Sequence, residues 1–81
     1  MTSEQVMQEI QRILGDLMRQ KGLDAVAIAP NSRFLGEDLP IDSLDLAVLV
    51  TELEQVTRKD PFSAGFRDFR TVKELAQLYA E

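Results

Sequence analysis

With 81 residues, the chain has room for one small domain and none for a second. Its composition, 44% apolar and 28% charged, suits a folded globular protein rather than a disordered one. Fourteen acidic against nine basic side chains give a net charge of −5, which disfavours nucleic acid or an anionic membrane as partner and favours basic protein surfaces. Cysteine and histidine are both absent, so disulfides, thiolate metal sites and a histidine base are excluded, and no metal centre is expected. The polar start, Met1-Thr2-Ser3-Glu4-Gln5, is unlike a signal peptide, and no apolar run approaches the ~20 residues of a membrane span. A single cytoplasmic domain over 1–81, monomeric, is the expectation.

Val6, Ile10, Ile13, Leu14 and Leu17 recur at helical spacing and define a first helix with one apolar stripe. Thr2 and Gln5 have the spacing of a capping box, with Ser3 as a rival N-cap. Gly22 is the expected stop, and Arg19 and Lys21 complement the negative end of the helix dipole. Residues 23–41 then read as a long connection broken by Pro30, Asn31, Ser32, Gly36 and Pro40. Such a loop is unusual in so small a domain unless functional or pinned by its own side chains. Val26, Ile28, Phe34, Leu35 and Leu39 are the expected pins.

The second helix is expected from about Ser43 to about Val56, with Asp42 as N-cap. It carries two apolar stripes. Leu46, Leu49, Val50 and Leu53 follow helical spacing, and so do Leu44, Ala47, Val48 and Thr51. One face fits a core; the other is available to a partner unless the helix is buried on most sides. Asp60-Pro61 has the form of an N-cap followed by proline, so a short third helix is expected there, anchored by Phe62, Phe66 and Phe69. A last helix begins near Thr71, where Thr71 and Glu74 form a second capping box and Val72, Leu75, Leu78 and Tyr79 supply the apolar face.

The chemistry concentrates at Ser43, in Asp38-Leu39-Pro40-Ile41-Asp42-Ser43-Leu44-Asp45. A serine there is an exposed hydroxyl at a helix N-terminus. Without a histidine it is poorly equipped as a nucleophile in its own right, so the chain is not expected to be an enzyme. It is well placed to be modified by another protein, because a phosphate ester at a helix N-terminus meets the positive end of the dipole. Asp42 and Asp45 would attract a basic docking face, while also serving as first-turn carboxylates. Glu37 and Asp38 add to the local acidity, but the spacing does not make a calcium loop.

Together these residues resemble the acyl carrier protein family and the wider group of peptidyl and aminoacyl carriers. The match spans most of the chain: the first amphipathic helix, Phe34 upstream of the serine, the Asp-Leu-Pro-Ile-Asp-Ser-Leu-Asp segment, Leu49, Val50 and Leu53-Glu54, then Thr71-Val72 and Leu75. The resemblance implies a small all-α four-helix bundle with a long first loop and a short third helix. It implies 4′-phosphopantetheine on Ser43, transferred from coenzyme A by a phosphopantetheinyl transferase. The arm's thiol would carry a substrate as a thioester, loaded by an acyl or aminoacyl ligase and consumed by downstream enzymes of fatty acid or secondary-metabolite biosynthesis. Asp42, Leu44, Asp45, Ala47, Val48, Thr51 and Glu52 are the expected docking residues on the second helix. Pro40 stands where the family has glycine and Val48 where an acidic residue is common, which points to a specialised, free-standing carrier. The alternative is a small helical interaction module without prosthetic group, using the Leu44, Ala47, Val48 and Thr51 face.

Overall fold

Thr2 begins the ordered structure by capping, and each later helix begins the same way. The computed structural model describes residues 1–23, 28–34, 39, 41–63, 65 and 69–80. Three helices occur among them: α1 (Ser3–Gln20), α2 (Ser43–Thr57) and α3 (Val72–Tyr79). All three carry a reciprocal capping box, from Thr2 and Gln5, Asp42 and Asp45, and Thr71 and Glu74. Each box satisfies two amides that the helix itself leaves without acceptors.

The expected end of α1 is sharp. Gly22 takes φ 75°, the Leu23 amide donates to Met18 O at 2.9 Å, and the Gly22 amide donates to Arg19 O at 3.0 Å. This is a Schellman closure, and glycine is needed because a Cβ disfavours that φ. α2 ends differently, with Arg58 itself left-handed at φ 58° and its amide on Glu54 O at 2.9 Å.

Val6, Ile10, Ile13, Leu14 and Met18 of α1 are buried against Leu49 and Leu53 of α2 and Val72, Leu75, Ala76 and Tyr79 of α3. The α1 stripe is displaced by one position from expectation at its end: Met18 is buried and Leu17 only partly so. Removing each large side chain from water contributes about 1.5–3 kcal/mol, and α1 is the element that touches both others most. Tyr79 joins α3 to α2, its hydroxyl donating to Val50 O over a long 3.5 Å. Burial pushes the Tyr79 phenol well above its ordinary value, so it remains a protonated donor.

The first loop is pinned as expected at Phe34, Leu39 and, in part, Ile28; Val26 and Leu35 lie outside the described residues. The backbone pins it as well. Phe34 N donates to Arg70 O at 3.0 Å, Val72 N to Ser32 O at 3.0 Å and Lys73 N to Pro30 O at 2.9 Å, around an antiparallel bridge between Arg33 and Thr71. Two first-turn amides of α3 are thereby satisfied by loop carbonyls. From the other side, Gln11 Nε2 donates to Ile28 O at 3.0 Å.

The short third helix expected from Asp60-Pro61, which would make a bundle of four, is not among the described elements. Residues 61–63 instead form a turn, with Ser63 N on Asp60 O at 3.2 Å, and Gly65 N donates to Phe62 O at 3.1 Å; residues 64 and 66–68, including Phe66, lie outside the described part. Gly65, at φ 132°, occupies backbone that no helix uses. No described helix is long and apolar enough to cross a membrane.

Candidate functional site

The chain reaches α2 through Asp42 in extended backbone, φ −112° and ψ −176°, which places Ser43 at the first helical position. Asp42 Oδ1 accepts from the Asp45 amide at 2.9 Å, and Asp45 Oδ2 accepts from the Asp42 amide at 3.2 Å. Asp42 O takes the Leu46 amide at 3.1 Å. No described residue accepts from the amides of Ser43 and Leu44, so two donors at the positive end of the helix lie beside an exposed serine hydroxyl.

The two aspartates differ sharply in placement. Asp42 is exposed, whereas Asp45 is only 7% exposed and turned inward. Its Oδ2 is the acceptor of a short contact from the Lys21 ammonium, at the C-cap of α1. That hydrogen bond is the main cause holding the Asp45 carboxyl below its ordinary value, against burial and with help from Asp42; the same bond raises Lys21. The negative end of one helix thus meets the positive end of the next through a pair of matching charge. Asp45, expected as a docking residue, is turned toward Lys21 and little exposed. Sequence reading gave Lys21 only a dipole role, and nothing in a separation of 24 residues signals the pair.

Of the two apolar stripes on α2, the one containing Leu49 and Leu53 is buried and the other is open. Leu44 is 72% exposed and Val48 38%, and Ala47 and Thr51 are exposed with them. The Thr51 hydroxyl is turned back onto Ala47 O at 2.9 Å, which leaves Leu44, Ala47, Val48 and Thr51 as an uncharged strip. Glu52 is half-buried at the edge, beside a groove between α1 and α2 that Arg12, Asp16 and Val48 also line.

A second groove begins at Ser43 itself. It has a volume of about 410 Å³ and is lined by Leu46, Ala47, Val50 and Thr51 of α2 and by Phe62 and Phe69. The aromatic wall is braced: Phe69 meets Phe34 edge-on at 5.8 Å between ring centroids, and Phe62 meets Phe69 at 5.9 Å and Tyr79 at 6.3 Å. The site therefore combines an exposed hydroxyl, two first-turn amides with no described acceptor and an apolar groove leading away. Among the described residues no cluster of carboxylates is arranged to hold a metal ion.

No family model matches the chain. It is 42% identical over 81 residues to an acyl carrier protein of Rubrobacter xylanophilus, covering all of this chain and 95% of that one. It is 33% identical over 72 residues to an acyl carrier protein of Phytoplasma australiense, covering 89% of this chain and 92% of that one. The fold is similar to the solution structure of MacpD, an acyl carrier protein from Pseudomonas fluorescens involved in mupirocin biosynthesis, with a TM-score of 0.83 and 36% identity over 98% of this chain and 71% of that one.

Proposed function

The chain belongs to the acyl carrier protein family, and on that basis we propose that it is a free-standing carrier bearing 4′-phosphopantetheine on Ser43. Proteins of this family are carriers and not enzymes, and so is this chain. The residues present fit the group. Ser43 offers an exposed hydroxyl, and the open amides of Ser43 and Leu44 suit the phosphodiester that attachment creates. Once attached, the arm supplies the thiol that a chain without cysteine lacks, and with it a thioester linkage for an acyl or aminoacyl cargo.

The chain's own residues hold, present and shelter. Asp42 and Asp45 close the first turn of α2 and keep Ser43 at its tip. Leu46, Val50, Phe62 and Phe69 offer apolar cover to a cargo folded back along the groove, where burial of a methylene contributes about 0.8 kcal/mol. The phosphopantetheinyl transferase, a loading ligase and thioester-using enzymes are the partners. We assign their docking to Leu44, Ala47, Val48 and Thr51, with Asp42 and Glu52 at the rim; Asp45 serves from inside. The uncharged face supports a specialised pathway, as does the likeness to a carrier of mupirocin biosynthesis. The cytoplasm, where coenzyme A and the transferase meet, is the proposed compartment.

The observation that carries this reading is the exposed Ser43 at the tip of α2, at the head of an apolar groove. Incubation of the purified protein with coenzyme A and a broad-specificity transferase should give a single phosphopantetheine adduct in the intact mass. Ser43→Ala should abolish it. An adduct that survives this substitution would sink the assignment.

A further inference from the structure

Ser43 has no side-chain tether among the described residues, so its position depends on the backbone of the first turn of α2. That turn is closed by the Asp42–Asp45 box. Among the described residues the box is in turn held from outside by Lys21, because Asp45 Oδ2 accepts from both the Asp42 amide and the Lys21 ammonium. The Schellman closure through Gly22 and Leu23 fixes the backbone from which the Lys21 side chain reaches Asp45. A continuous path therefore runs from the α1 terminus through Lys21, Asp45 and Asp42 to Ser43.

We propose that Lys21 is a positioning residue for the modification of Ser43, holding the first turn of α2 in register by anchoring Asp45 to the end of α1. This rests on the reading of Ser43 as the attachment point. Without the ammonium, the little-exposed Asp45 carboxylate loses its paired opposite charge, at a cost limited by the water that reaches the space Lys21 leaves. It relieves that cost by turning outward, which takes its oxygen from the Asp42 amide and loosens the turn that presents Ser43. A released carboxylate also adds negative charge beside the hydroxyl, against the approach of the diphosphate of coenzyme A. In the transfer itself, Ser43 Oγ bonds to phosphorus and the diphosphate P–O bond breaks. The nucleotide leaves with that electron pair, and the hydroxyl proton passes to a base on the transferase. Each part of this requires Oγ to be held in line.

The test is a steady-state assay of phosphopantetheinyl transfer with the carrier as varied substrate, using Lys21→Met, Lys21→Arg, Asp45→Asn and the Lys21→Met/Asp45→Asn pair. Lys59→Met is the control, because Lys59 Nζ ties the far end of α2 to Ala80 O at 3.2 Å and is remote from Ser43 in the chain. Lys21→Met should lower kcat about tenfold with a smaller change in KM, the pattern of a misplaced reacting group. Lys21→Arg should recover most of the rate, and the double variant should be no slower than Lys21→Met alone. Lys59→Met should keep the wild-type kcat. Circular dichroism at the assay temperature checks the fold; if Lys21→Met is unfolded, Asp45→Asn reports on the same link. Unchanged kcat in Lys21→Met, or strictly additive effects in the double variant, overturns the inference. So does an equal slowing by Lys59→Met, since the loss is then one of general stability. A wild-type protein that takes no adduct overturns instead the underlying reading of Ser43.

Discussion

Each carboxylate beside Ser43 is engaged at one oxygen in holding the first turn, Asp42 Oδ1 by a backbone amide and Asp45 Oδ2 by an amide and an ammonium. With no histidine in the chain, the proposed transfer takes its base from another protein. Ser43→Ala should accordingly leave stability within about 0.5 kcal/mol while removing the adduct, by chemical denaturation and intact mass respectively. Asp42→Ala removes an N-cap and should cost about 1 kcal/mol. The Lys21–Asp45 pair also sets a pH window. Asp45 is depressed on folding from its ordinary 3.8, so its contribution is present above that pH and is lost as pH falls through the lower folded value. Lys21 is raised from 10.5, so its contribution is present below that pH and is lost as pH rises through the higher folded value. Melting temperatures of wild type and Asp45→Asn should therefore differ most at neutral pH and converge in acid. A difference that persists undiminished at pH 2 would count against the pairing.

The helices were legible because each advertises its own start: Thr2 with Gln5, Asp42 before Ser43, and Thr71 with Glu74 are local signals, read within one turn. What the sequence hid is non-local. The Lys21–Asp45 contact and the stitching of Pro30, Ser32 and Phe34 to residues 70–73 join segments with no shared period. The segment after Pro61 looked helical from its N-cap pattern, yet the turn at Gly65 competes with it. Two substitutions exploit the local geometry. Gly15 is inside α1, and a Cβ there meets nothing within 4 Å, so Gly15→Ala should stabilise by about 0.5–1 kcal/mol. Arg58 is exposed in left-handed backbone, which costs a non-glycine residue about 1 kcal/mol, so Arg58→Gly should raise the melting temperature by several degrees.

In the molecule as a whole, the proposed docking face and the core face lie on different sides of α2. Leu44→Asp on the open face should weaken transferase or ligase binding, measured by titration calorimetry, and leave the melting temperature almost unmoved. Phe34→Ala should do the reverse. Phe34 is fully buried and braces Phe69, so its truncation should cost about 3–5 kcal/mol, a large part of what a small domain has.

The loop that leads to Ser43 is stitched to the start of α3 by the amides of Phe34, Val72 and Lys73. This imposes an order in time. While the chain is being synthesised, the carbonyls of Pro30 and Ser32 wait for donors about forty residues downstream, and so the approach to the serine cannot settle until the last helix exists. A nascent chain halted before Val72 presents Ser43 in its sequence without the surroundings that make it a substrate. On the reading of Ser43 as the attachment point, loading of the arm therefore waits for the segment that begins α3.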